Sequence, residues 1–150
     1  IEYLQHLYKD NELIKGEFEF GDTVLDLKDI DLPIYAVATI KDHIAPWRAS
    51  FSGLNKVSSK EARFVLAGSG HIAGVINPAG STKYGHWLNP ERPDDLDGWF
   101  QAAEQHEGSW WDNWAKWVKK RSGKRSPAAP AGSSEYPAIE AAPGSYVRRG

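Results

Sequence analysis

The pattern of apolar and polar positions divides the chain into segments of different period. In "IEYLQHLYKDNELIKG", Leu4, Leu7, Tyr8 and Leu13 fall near one helical face and Gly16 ends the run, which predicts a short helix. "GEFEFGDTVLDL" changes to a period of two. Phe18 and Phe20 alternate with Glu17 and Glu19, Gly21-Asp22 supplies a turn, and Val24 and Leu25 begin a returning strand. "DLPIYAVATI" is apolar throughout, with Pro33 at the entrance, where a missing N–H does least harm to a strand. "PWRASFSGLNKV" has a proline suited to the start of a helix, and "ARFVLAGS" is a second unbroken apolar strand. Two such strands joined by a helix-length crossover imply parallel pairing in an α/β sheet.

From Pro78 to Pro93 the pattern is that of a loop. "PDDLDGWFQAAEQHEG" and "GSWWDNWAKWVKKRSG" are both predicted helical. In the second, Ser109 is the expected N-cap, Asp112 stands three positions on, the last turn is basic, and Gly123 follows. Trp110, Trp114 and Trp117 share helical spacing with Trp111 beside them. Their expected task is to dock this helix on the sheet, the alternative being an aromatic surface for an apolar partner. "KRSPAAPAGSS" is a linker by composition, and "EYPAIEAAPGSYVRRG" is too short and too rich in Pro and Gly to build a core. No internal repeat is present.

Composition changes this picture in three ways. A length of 150 residues, 41% hydrophobic and 25% charged, fits one globular domain or part of one. There are no cysteines, so no disulfide framework and no thiolate metal site, which fits a cytosolic setting. There is also no methionine, and the first residue is Ile1, so the expectation is a processed chain or a piece of a longer one. No apolar run is long enough to span a bilayer and no signal-peptide pattern opens the chain. Residues 1–118 carry 11 basic and 18 acidic side chains, whereas residues 119–150 carry 7 and 2. Such a basic tail is usually a solvated end, although it also suits an anionic surface.

Candidate chemistry lies just past the two apolar strands, in "TIKDHIAPW" and "LAGSGHIAGVINP". In open α/β sheets functional groups gather beyond the carboxyl ends of strands, and adjacent strands lie roughly 4.8 Å apart. Asp42 and His71 are therefore placed to meet. Acid followed by histidine is the latter part of the nucleophile–acid–histidine order of α/β-hydrolases. From the pattern alone, a helix-cap or loop role for each remains open. The small residues around His71 leave room for close backbone approach and for a substrate. His43 is read as support for this site or as a plain loop histidine. Adjacent residues rarely ligate one ion, so no metal is expected. "KKRSGKR" is read as a helix end favoured by the helix dipole.

The motifs "DLPIYAVATIKDHIAPW", "RFVLAGSGHIAGVINP", "HWLN", "GSWWDNWAKW" and "YPAIEAAPGSYV" together resemble the C-terminal part of class I polyhydroxyalkanoate synthases, and the similarity runs along the whole chain. The resemblance implies an α/β-hydrolase fold. Residues 1–13 would end a cap region, residues 14–123 would form the C-terminal part of the catalytic domain, and residues 124–150 would be a Pro/Ala/Gly-rich basic tail. It further implies polymerisation of (R)-3-hydroxyacyl-CoA with release of CoA through a Cys-His-Asp triad. Asp42 would be the catalytic aspartate and His71 the catalytic histidine. The cysteine would lie upstream of this chain, so the chain alone is expected to be inactive. His71 would act as general base. Asp42 would orient His71 or activate the 3-hydroxyl of the incoming unit, and family accounts favour the second. No cofactor beyond the CoA thioester substrate is implied. The implied partners are the growing polyester, the granule surface and a second copy in a homodimer, with neither nucleic acid nor a membrane span. The implied location is cytoplasmic and granule-associated. Rival readings are another α/β-hydrolase, an esterase or polyhydroxyalkanoate depolymerase, and a non-catalytic fragment that binds a granule or partner.

Overall fold

A computed structural model describes residues 1–149 of the chain. Its two unbroken apolar runs form strands β3 (Ile34–Thr39) and β4 (Ala62–Ala67), which pair parallel in register from Ile34↔Ala62 to Thr39↔Ala67. Helix α2 (Trp47–Leu54) lies in the crossover between them. It buries Trp47, Phe51 and Leu54, the positions that helical spacing places on one stripe. Pro46 is the residue just before its first turn.

The sheet continues with two short strands, β5 (His86–Leu88) and β6 (Glu104–His106), in the order β3-β4-β5-β6. Both added pairings are antiparallel, so the sheet is mixed and only its first pair is parallel. This corrects two expectations from the sequence. The stretch from 78 to 93 is not all loop, and the helix expected over 93–108 is α3 (Leu96–Ala102), which stops before β6. Asp95 caps α3 by accepting from the Asp97 N–H. The polar β6 escapes hydrophobic patterning because it is an edge strand with little apolar burial.

Alternation along β4 supplies two cores. Phe64 and Leu66 face α2 and α3 in a cluster with Ala38, Trp47, Phe51, Leu54 and Trp99. Phe64 lies edge-on to both Phe51 and Trp99, at ring distances of 5.2 and 5.1 Å. Val65 and Ala67 face the other way and pack with Trp110 in a second cluster that Tyr35, Val37, Leu88 and Trp111 extend. Helix α4 (Trp111–Lys119) follows Trp110. Tyr35 lies 6.2 Å from the ring of Trp110 and 5.4 Å from that of Trp117, so these two tryptophans meet the sheet. Trp114 packs on Trp110 and is 42% exposed. The Tyr35 hydroxyl donates to Asn113 Oδ1, and burial pushes the phenol above its ordinary range.

The expected capping box of α4 is also corrected. Ser109 Oγ does accept from the Trp111 N–H, but the residue preceding the helix is Trp110. Asp112 turns away from Ser109 and accepts from the Gly80 N–H at 3.3 Å. Near the start of the chain, a π-helical turn (Leu4–Lys9) and α1 (Glu12–Lys15) replace the single expected helix, because Asn11 between them has φ 51°. Strands β1 (Phe18–Phe20) and β2 (Thr23–Leu25) form the expected hairpin, with Gly21 at φ 62° in its turn.

By compactness the chain divides into a first unit, Ile1–Lys120, and a second that begins at Arg121. No described residue of the second unit is buried. Its local order comes from short-range contacts, such as the Glu140 carboxylate accepting from the Ser145 N–H and hydroxyl.

Candidate active site

Beyond the last paired residues of β3 and β4 the two chains stay coupled. The Ile40 N–H donates to Ala67 O and the Lys41 N–H to Ser69 O, both at 2.9 Å. The first chain then turns, with the Asp42 N–H on Thr39 O. Asp42 Oδ1 accepts from the N–H groups of Ile44 and Ala45, each at 2.9 Å. Its other oxygen, Oδ2, lies 2.8 Å from His71 Nδ1. The loop role and the pairing role that the sequence left open for Asp42 thus fall on separate oxygens of one carboxylate.

The electrostatics follow from these contacts. The Ala45 N–H, the His71 ring and the Ile44 N–H outweigh desolvation and hold the Asp42 carboxyl down at about 2. At neutral pH it is an anion and can only accept. Nδ1 of His71 therefore carries the proton, which leaves the lone pair of a neutral ring on Nε2. The Asp42 side chain is 7% exposed and that of His71 47% exposed. One partner is a covered anchor and the other meets solvent. Such a pair can take a proton from an acidic group presented to Nε2, with the resulting imidazolium stabilised by the carboxylate.

Glycines set how the His71 loop sits. A β-carbon on Gly68 would come within 2.6 Å of Gly85 O. One on Gly74 would collide with Gly68 O and lie 2.5 Å from Thr39 Cγ2. The loop is therefore pressed against the ends of both strands in a way that only glycine permits at these two positions. The Gly74 N–H closes a turn on Gly70 O, and the Ile76 N–H one on Ile72 O. Ile44, Ile72 and Ile76, which follow the pair in the chain, are exposed.

Of the residues singled out from the sequence, Asp42 and His71 are brought together. His43 is exposed, and the pair forms without it. Among the described residues no group of three His, Asp or Glu side chains is arranged to hold a metal ion, and no helix is long and apolar enough to cross a membrane. Sequence reasoning missed contacts made to the His71 loop by Trp110 and Trp111, whose indole N–H groups donate to Gly74 O and Val75 O. The one signal available was general: a buried indole needs an acceptor for its N–H.

No protein-family model matches the chain. Among curated proteins it is 43% identical over 148 residues to the poly(3-hydroxyalkanoate) polymerase subunit PhaC of Cupriavidus necator, a match covering 97% of this chain and 25% of that protein. It is 43% identical over 146 residues to the subunit of the same name from Rhizobium meliloti, covering 97% and 24%. To the poly(3-hydroxyalkanoate) polymerase of Methylorubrum extorquens it is 42% identical over 147 residues, again covering 97% and 24%. The chain thus spans about a quarter of the length of these relatives.

Proposed function

We propose that the chain belongs to the poly(3-hydroxyalkanoate) polymerases as the C-terminal portion of such an enzyme, supplying the acid and base of its acyl-transfer site. The observation that carries this reading is the 2.8 Å contact between Asp42 Oδ2 and His71 Nδ1 past two parallel strands. The parallel pair with its helical crossover is the part of an α/β-hydrolase fold that would present these groups.

The nucleophile is a cysteine thiol contributed by the rest of the polymerase, since this chain contains none. His71 Nε2 takes the thiol proton, because the thiolate is the competent nucleophile. A carbon–sulfur bond forms at the thioester carbonyl of a (R)-3-hydroxyacyl-CoA, and the negative charge passes to the oxygen. The oxyanion collapses, the bond to CoA breaks, and the CoA thiolate leaves with the proton held by His71. In the elongation step the 3-hydroxyl of one unit attacks the thioester carbonyl of another: His71 takes the hydroxyl proton, the ester C–O bond forms, the C–S bond breaks, and the departing thiolate takes the proton back from His71. An alcohol has to win over water as acceptor. The exposed apolar side chains of Ile44, Ile72 and Ile76 favour that outcome once the rest of the enzyme covers them.

Asp42 is assigned the orienting role in preference to direct activation of the substrate hydroxyl. Both of its oxygens are engaged and its side chain is covered, while His71 is open. Substitution in the full-length polymerase tests the proposal. Asp42→Asn and His71→Gln are each expected to lower CoA release from (R)-3-hydroxybutyryl-CoA by about 10³-fold or more, with melting temperature nearly unchanged. Full activity in both variants would instead favour a non-catalytic role for this portion. Release of free 3-hydroxybutyrate in place of polymer would favour a hydrolase.

A further inference from the structure

The His71 loop is held by the segment that opens α4. The Trp110 indole N–H donates to Gly74 O and the Trp111 indole N–H to Val75 O, both at 2.9 Å. Ser109 donates from Oγ to Asn77 O and from its N–H to Ser81 O, and Asp112 accepts from the Gly80 N–H. Four consecutive residues, 109–112, thus bind five positions between 74 and 81. Gly74 is also where the loop presses on Thr39 and Gly68, with no space for a side chain.

These contacts give the "GSWWDNW" motif a task beyond docking a helix. A histidine anchored through Nδ1 alone can still pivot about that hydrogen bond as its loop breathes. The direction of Nε2 is fixed only if the backbone that follows His71 is fixed as well. Two adjacent indoles suit this work, because each is a rigid donor with few rotatable bonds. Burial of Trp110 among Val65, Ala67 and Tyr35 ties the donor to the sheet that also carries Asp42. We infer that Trp110 and Trp111 are positioning residues of the acyl-transfer site, clamping the Gly74–Val75 backbone so that His71 Nε2 stays aimed at the reacting thiol. The inference rests on the catalytic reading of the Asp42–His71 pair.

Trp111 is the more informative of the two to change. Val75 is 37% exposed, so water replaces the lost donor at its carbonyl and the fold is spared. Gly74 is buried, so loss of the Trp110 donor orphans a carbonyl and destabilises the protein as well.

The test is Trp111→Phe in the full-length polymerase, alone and combined with His71→Gln, with (R)-3-hydroxybutyryl-CoA as substrate. Trp111→Phe alone is expected to lower kcat about tenfold while KM and melting temperature change little, since small misplacements cost rate and not binding. In the His71→Gln background the same change is expected to have no further effect on the residual rate. An unchanged kcat for Trp111→Phe overturns the inference, as does an equal loss in both backgrounds. If His71→Gln by itself keeps full activity, the catalytic reading has failed, a result distinguishable from failure of the clamp. Trp110→Phe is a second probe, expected to show the larger kcat loss along with a lower melting temperature.

Discussion

The two faces of the sheet use tryptophan differently. On the α2/α3 face, Trp47 and Trp99 sit among Phe51, Phe64 and Phe100 and contribute ring packing and burial. On the α4 face, Trp110 also buries its ring, but it and Trp111 direct their N–H groups to the backbone of the His71 loop. The first arrangement makes a core of ring contacts among Trp47, Trp99 and the neighbouring phenylalanines. The second makes a core whose hydrogen bonds reach the backbone of the His71 loop. A tryptophan in a core is therefore not one kind of evidence, and the partner of its N–H decides which kind it is.

The largest effect that would break this contrast belongs to the first face. Trp99 is completely buried and touches the rings of Trp47, Phe51 and Phe64. Trp99→Ala is expected to cost about 3–5 kcal/mol of stability. The shift in denaturant midpoint of the full-length enzyme checks it, and activity in the fraction that remains folded should be largely kept. A selective loss of activity with stability intact would show that the first face also serves the site.

A smaller effect sharpens the contrast at the seam between β5 and α4. His86 is buried, lies 5.3 Å from the ring of its cross-strand partner His106, and bonds through Nδ1 to Gly108 O. Burial and the charge of His106 lower its pKa, against opposing effects of Gly108 O and Asp112. The folded protein therefore resists protonation that the unfolded chain accepts near pH 6.5. Stability is fully present above that pH and is lost as pH falls through the folded value. His86→Gln is expected to flatten this acid-side slope in melts recorded from pH 7 to 5, leaving stability at pH 7 within about 1 kcal/mol. An unchanged slope would mean that other groups set it.

How far the sequence foretold these features depended on range. The parallel pair and its crossover were legible because Ile34–Thr39 and Ala62–Ala67 are unbroken apolar runs and because a helix-length segment opened by Pro46 joins them. Asp42 and His71 were legible as candidates because strand ends concentrate chemistry, and their pairing followed from that. Strands β5 and β6 were not, since three residues cannot display a period and β6 is polar throughout. Asp112 fitted a local capping box by spacing, yet its partner is Gly80, far along the chain. The same holds for both indole donors. Patterning reads what a residue does to its neighbours in sequence and is silent on hydrogen bonds that fold-level proximity creates.

The central claim is that His71 serves a thiol this chain lacks. The most direct measurement is the pH dependence of alkylation of the nucleophilic cysteine in the full-length polymerase, for wild type and His71→Gln. With the imidazole in place, the thiol should react rapidly at pH values well below the ordinary cysteine pKa of about 8.5, and removal of the ring should return the profile to that ordinary range. Superimposable profiles for the two proteins would contradict the account.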